Sequence, residues 1–532
     1  MEKRLVLALA LSILIIFTFQ HLFVKPAPQV PPSTQAAPTE NRQTGEPVNP
    51  PVLSTPPPGP SVEEKEVLVE TDKYALTFSN VGGAIKTIRL KGHKDMGSGE
   101  PLDLVDIKNP KEYILAISDP LNAALLDSAA YNVVKKDGAV ECVLRTQGFE
   151  ITKRYILHNS KYIIELQLFV RNISSAPQQF NYRIIGGSNL TESNIQDKRF
   201  VEVTSSINGK VIGFKRPRKE ERIINPGIVA WSALKNRYFS LILRPSSPAK
   251  NQFYSENRDG SLVMGVEPEA VVIQPGATAE NKFLLYAGPS EISSLGEAGC
   301  GLEETVNYGF FGGIAKALIF AMKFFYRLVH SWGVSIIILS VFLNIILFPL
   351  TIKSFKSMQK MQELHPQMEK LKAQCKDNPQ KLNKEIMELY KKNNINPFSG
   401  CLPMLLQMPV FIALYQALLK SIELRGSGFL WIKDLSMPDA VKIPISLPII
   451  GNSINILPLF MVLTMVIQQR ISTKTMGSAV TPEQKEQQRM MLIIMPIVFG
   501  FIFYSMPSGL VLYWVINTVL TIIEQSAILK QA

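Results

Sequence analysis

The chain has 532 residues, 46% of them hydrophobic, and a formal net charge of +12. That much apolar content excludes a wholly soluble protein, and a charged fraction of 19% excludes a chain that is a membrane bundle throughout. Five histidines, four scattered cysteines (Cys142, Cys300, Cys375, Cys401) and no HExxH, P-loop or GxSxG pattern give no disulfide framework, metal site or familiar catalytic motif, so neither an enzyme nor a cofactor is expected.

Behind Glu2, Lys3 and Arg4, residues 5–24 form one apolar run. Its length suits the ~30 Å hydrocarbon core, and no small-residue cleavage site follows, so residues 1–24 read as an uncleaved transmembrane anchor. A linker, 25–61, is rich in proline with Gln, Thr and Ser and reads as a semi-extended tether. From 62 to 300 the pattern is β. Ile164, Leu166, Leu168 and Val170 alternate with Glu165, Gln167, Phe169 and Arg171, and turn signals recur at Gly82-Gly83, Asp137-Gly138, Asn208-Gly209, Pro226-Gly227, Asp259-Gly260 and Pro275-Gly276. These imply a large all-β sandwich. It holds only His93 and His158 and no readable carboxylate pair, which gives a sugar-binding or sugar-modifying role no nameable site.

Residues 308–330 are apolar but carry Lys316, Lys323, Arg327 and His330 at i, i+7, i+11 and i+14, one basic stripe on a greasy helix. Such a helix lies in the membrane surface. Five spans are expected after it, at 332–351, 402–420, 454–470, 490–506 and 508–528, making six with the anchor. Residues 353–400 contain ten Lys against five acidic residues, and the 472–489 loop adds Lys474, Lys485 and Arg489. The positive-inside rule then puts both termini and these basic segments in the cytoplasm and the β domain outside. Within 353–400, Met361, Leu364, Met368 and Leu371 follow a 3-4-3 spacing that Leu382, Ile386 and Leu389 repeat after Asp377-Asn378-Pro379, the seam of a helical hairpin. Its lysines include Lys356, Lys360, Lys370, Lys372, Lys391 and Lys392. They are not interleaved with aromatics, so DNA is not an expected partner, whereas lipid headgroups and a ribosome contact are.

On the 332–351 span, Ser340, Asn344 and Thr351 share one face, and on the last span Trp514, Thr518, Thr521 and Gln525 do the same with Asn517 and Glu524 near the edge. Two facing polar stripes could line a wet cavity, or each group could simply hydrogen-bond a neighbouring helix.

Several longer stretches resemble the YidC branch of the insertase family, in the Gram-negative form with a large periplasmic domain. They are Trp332-Gly333 to Phe348-Pro349-Leu350-Thr351, the run 360–366, Asn396-Pro397-Phe398 through Gly400-Cys401-Leu402-Pro403 to Gln407-Met408-Pro409-Val410-Phe411, and Pro507 to Trp514. Thr71-Asp72-Lys73-Tyr74 leading to Phe78-Ser79-Asn80-Val81-Gly82-Gly83 resembles the opening of the family's periplasmic domain. The resemblance implies an α-helical polytopic membrane protein with six transmembrane helices, a five-helix insertase core in residues 332–529, an all-β periplasmic sandwich domain and a cytoplasmic hairpin at 353–400. It further implies a groove open to cytoplasm and lipid, to which Ser340, Asn344, Gln407, Trp514, Asn517, Thr518 and Thr521 are assigned, and a slide for the client's apolar segment at Met408, Phe411, Phe499 and Phe503. Nascent membrane proteins, the Sec translocon and the phospholipid bilayer are the implied partners. The family usually places an arginine where Asn344 stands, and some relatives carry a long basic tail that this chain lacks. A transporter or channel is the alternative, but it would need two matched halves, and no internal repeat is visible.

Overall fold

The computed structural model describes residues 63–96, 98–119, 126–191, 200–247, 250–258, 260–299, 301–374, 378–393, 402–447, 451–475 and 482–531. The expected anchor (1–24), the proline-rich linker (25–61), residues 394–401 and the middle of the 472–489 loop lie outside the described residues. The chain forms two compact units, one ending at Val306 and the other starting at Asn307.

The first unit is β-rich. A four-stranded antiparallel meander (Glu66–Glu70, Tyr74–Ser79, Ala84–Lys94, Pro101–Asp106) packs on a sheet of thirteen strands. In the large sheet the strand Ile163–Asn172 lies between Phe149–Leu157 and Thr278–Pro289. Its predicted inward set, Ile164, Leu166, Leu168 and Val170, is at most 1% exposed. The long strand Arg222–Lys235 pairs first with Lys250–Arg258 and then with Phe239–Pro245, so it joins the two halves of the sheet. Asn208 (φ 52°) and Gly209 (φ 73°) close a two-residue hairpin, a turn that requires positive φ at both positions.

Between the two sheets, Phe78 meets the Tyr155 ring at 5.0 Å and the Tyr74 hydroxyl donates to Ala287 O at 2.7 Å. Each such buried large side chain contributes roughly 1.5–3 kcal/mol. Lys153, wholly buried, donates to Gly82 O (2.8 Å), Leu115 O (3.0 Å) and Gly83 O (3.4 Å), and the Tyr155 hydroxyl donates to Gly83 O (2.6 Å). The glycines are needed there, because a Cβ on Gly82 would sit 2.6 Å from Asp127 O and both residues hold positive φ. A short helix, α1 (Ile292–Ala298), packs after the last strand of the sheet.

The second unit is helical: α2 (Gly312–Val329), α3 (Trp332–Glu363), α4 (His365–Gln374), α5 (Pro379–Lys392), α6 (Leu402–Lys420), α7 (Ile456–Thr475), α8 (Pro482–Phe503) and α9 (Ser508–Gln531). Trp332–Ser357 and Ser508–Ala527 are long and apolar enough to cross a bilayer, and Leu405–Lys420, Ile456–Ser472 and Leu492–Phe503 are shorter apolar stretches. Helix α3 runs unbroken from the expected span of 332–351 through Pro349 into the first arm of the hairpin, ending at Glu363. The lysines beyond 351 are compatible with helix, and only the environment changes along it. Helix α7 starts at Ile456, later than expected, because a β-hairpin (Val441–Leu447 with Gly451–Ile454) occupies the preceding residues. The hairpin seam places Leu364 and Tyr390 in its buried centre, with Met361, Met368, Ile386 and Leu389 around them, and Asn378 caps α5 through Lys381 N–H at 3.0 Å. Tyr390 was not expected in the seam. Its hydroxyl meets Met368 Sδ at 3.3 Å.

Candidate functional site

Helix α9 packs against α3 and α7, and α2 packs against α3 and α6. Where α3 meets α9, Asn344 Nδ2 donates to Asn517 Oδ1 at 2.6 Å and also to Ser340 O, one turn back, at 2.9 Å. Ser340 is fully buried and returns its hydroxyl to Ile336 O (2.8 Å). On α9 the Thr518 and Thr521 hydroxyls likewise bond to Trp514 O and Asn517 O, each at 2.8 Å. The hydroxyls are thus satisfied within their own helices, while the amide pair reaches across from α3 to α9. Asn344 Oδ1 and Asn517 Nδ2 keep hydrogen-bonding capacity beyond this contact. Below them Gln525 Oε1 is buried with no hydrogen-bond partner among the described residues. Asn517, read from the sequence as an edge position, is the residue that touches Asn344.

Trp514 belongs to a different environment. Its ring lies 5.1 Å from Phe411, 5.5 Å from Phe499 and 5.1 Å from Phe503, so the structure brings it into one aromatic cluster with three of the residues assigned to the slide. Met408 is 50% exposed on the outer side of α6, and Gln407, one residue earlier, donates to the hydroxyl of Tyr513. Tyr513 was missed by the sequence reading. A buried tyrosine in an apolar helix needs a partner for its hydroxyl, and a glutamine in a facing span is the only signal that could have found it.

At the other end of α7 and α9, residues 421–447 and 451–455 form a cap. Asp439, 4% exposed, accepts the N–H groups of Ile456 (2.9 Å) and Leu457 (2.8 Å) and the Trp431 indole N–H (3.2 Å), so a carboxylate from seventeen residues upstream caps α7. Asn455 Nδ2 donates to Tyr504 O (2.6 Å). The first amides of α9, Ser508 and Gly509, donate to Met437 O (2.8 Å) and Leu435 O (2.9 Å). Orphan donors at two helix starts are thereby taken up by one loop. No sequence pattern announced this, since Asp439 and α7 are joined by no fixed spacing.

Helix α2 has three faces. Ala315, Leu318 and Met322 are buried, Phe320, Phe324 and Leu328 are 52–75% exposed, and the Lys316, Lys323, Arg327 and His330 stripe lies between them. Lys323 pairs with Glu423 of the cap at 2.7 Å. On the hairpin and its approach, Lys356, Lys360, Lys370, Lys391 and Lys392 are exposed, and Lys372 lies on α4. Among the described residues no cluster of three or more metal-ligating side chains occurs.

A family model described as YidC periplasmic domain matches residues 66–321, and one described as 60Kd inner membrane protein matches residues 324–532. The membrane protein insertase YidC of Geobacter metallireducens is 32% identical over 564 aligned residues, covering 100% of this chain and 98% of that protein. That of Citrifermentans bemidjiense is 33% identical, with 100% and 99% covered. Among solved structures, an active YidC insertase with its first transmembrane domain resolved covers 98% of this chain and 99% of its own at 16% identity and a TM-score of 0.34. With relatives above 30% identity matched from end to end, and with both halves matched by family models, the chain belongs to the YidC family of membrane protein insertases.

Proposed function

We propose that this insertase, an inner-membrane protein with a periplasmic β domain and nascent membrane proteins as its substrates, works through a polar groove between α3 and α9. The family is not one of enzymes, and the drive belongs to the client, whose apolar helix gains free energy on entering lipid. The device lowers the barrier by offering hydration partway across, so that a client's polar segment need not shed all its water at once. The observation that carries this reading is the 2.6 Å Asn344–Asn517 bond, an amide pair between two apolar helices with capacity left for water or substrate. Gln525 Oε1 lower on α9, buried without a partner among the described residues, supports it. In this reading Gln407 and Thr521 line the groove beside the amide pair, the buried Ser340 and Thr518 help hold its wall, the cap at 421–447 and 451–455 closes its outer end, and the client's apolar segment passes Met408, Phe411, Phe499 and Phe503.

The topology that fits is six transmembrane helices with both termini and the α4–α5 hairpin in the cytoplasm, α2 lying in the outer membrane surface. The exposed lysines of the hairpin suit anionic headgroups or ribosomal RNA, and larger clients are shared with the Sec translocon. Photo-crosslinkers at position 344 test the groove and at position 514 the aromatic slide. Ribosome-stalled chains with one emerging apolar segment should be captured at both positions. Capture of small solutes but never of nascent chains would overturn the reading in favour of a channel.

A further inference from the structure

The cap carries an apolar knuckle that nothing in the groove reading uses. Phe429 and Ile432 exchange both backbone hydrogen bonds (2.8 and 2.9 Å), which leaves Leu430 and Trp431 at the tip of a two-residue turn. Leu430 holds φ 53°, a left-handed conformation that costs a leucine on the order of 1–2 kcal/mol and that such turns ordinarily give to glycine or asparagine. The strain exposes the side chain, since Leu430 is 76% and Trp431 41% accessible. The base of the turn is rigid. Ile432 is buried, and the Phe429 ring lies so close to Gly333 that a Cβ there would approach it to 2.2 Å. The Trp431 indole N–H is tied to Asp439, which turns its polar edge inward while the ring stands 6.2 Å from Phe460. Phe460 opens an exposed apolar flank of α7 that continues through Leu463 and Ile467.

We propose that the Phe429–Ile432 knuckle is a phospholipid anchor in the outer leaflet, with Leu430 in the upper acyl region and the Trp431 ring at headgroup depth. Three observations select lipid as the occupant. The apolar surface is continuous with the exposed apolar flank of α7, a helix assigned above to the membrane, the indole donor is already satisfied and asks nothing of a partner, and exposed Lys433 stands beside the tip where phosphate groups would lie. Through Asp439 the anchor fixes the depth of the α7 N-terminus. The inference rests on the outward placement of the cap.

The test uses the full chain with Trp231, Trp332 and Trp514 changed to Phe, reconstituted in phosphatidylcholine vesicles containing lipids brominated high or low on the acyl chain. Shallow bromines should quench Trp431 more than deep ones, and aqueous acrylamide should quench it weakly. In Leu430→Asp the shallow quenching should fall by more than about two-fold. Emission that acrylamide quenches as it quenches free indole, with no bromolipid effect, overturns the anchor and leaves the knuckle as a protein-docking surface. If the triple variant does not fold, the difference signal between the native chain and Trp431→Phe gives the same readout. Orientation is scored separately, by labelling Ala440→Cys on whole cells with a membrane-impermeant maleimide in a chain whose four native cysteines are serine. Absence of labelling there refutes the outward cap whatever the depth result.

Discussion

In the β unit, strand Ile163–Asn172 hides its apolar residues and turns Arg171 to the surface; in the helical unit, α8 leaves Phe501 84% and Ile497 61% exposed, and α3 leaves Ile345 66% exposed. The polar groups are inverted too. Lys153 is buried among three carbonyls at the centre of the β unit, and Ser205 is buried against Ser232 at 3.0 Å. In the helices Ser340, Thr351, Thr518 and Thr521 bond to their own backbone, and the Asn344–Asn517 amide pair crosses between helices. The same chain therefore follows two solvent rules. In the β unit apolar side chains fill the interior and the buried Lys153 amine is held by carbonyls; in the helical unit large apolar side chains are left facing outward, the arrangement that suits a lipid surround.

The sharpest way to break that comparison is deletion. Removing residues 356–395 should reduce insertion of a model client in a depletion strain to near background, while removing 62–280 should leave most of it, because the work is assigned to the helical unit. The reverse result would move the function into the β unit.

Next in size are changes at the amide pair. Asn344→Leu should slow insertion several-fold, Asn517→Leu should match it, and the double variant should be no worse than either, with a coupling of about 0.6–1.7 kcal/mol. Asn344→Arg should be tolerated and should help most with clients whose translocated segment is acidic. If Asn344→Leu inserts both acidic and neutral clients at the original rate, the pair serves helix packing alone.

A smaller effect is expected at Lys153, and on stability only. Lys153→Met strands the carbonyls of Gly82 and Leu115 and should cost about 2 kcal/mol, read as faster hydrogen exchange across 149–157 with insertion unchanged. Burial pulls the Lys153 amine from its ordinary 10.5 down to about 7. Between those values the unfolded chain holds a proton that the folded unit has released, so stability should rise with pH across that window and fall as pH drops toward 7. The methionine variant should lose this slope. Least of all, single Lys→Ala changes at Lys356, Lys360, Lys370, Lys391 or Lys392 should each alter insertion by less than about two-fold, because exposed charges act jointly on a charged surface.

Much of this was legible in the sequence. Period-two alternation found the strand 163–172, and the 3-4-3 spacing found the hairpin seam, because both are local consequences of backbone geometry. The helical repeat likewise put Asn344 on a polar stripe of α3, and Asn517 near the edge of one on α9, where the two meet. What stayed hidden was long-range and without period: the capping of α7 by Asp439, the Gln407–Tyr513 contact, and the gathering of Trp514 with Phe411, Phe499 and Phe503. A face can be read from spacing, but the partner it meets depends on how separate elements pack. The β-hairpin before α7 was missed as well, since residues 421–453, between two expected spans, were assigned no element.

Helix α3 is a single shaft of 32 residues, about 48 Å of rod, with its only proline at position 349. Proline lacks the N–H that would bond to Ile345 O, so bending is least resisted there. That joint stands five residues beyond Asn344, between the amide pair and the lysine-bearing end. A bend of α3 is therefore easiest between the amide pair and the lysine-bearing end, where it would displace that end while leaving the Asn344–Asn517 contact in place.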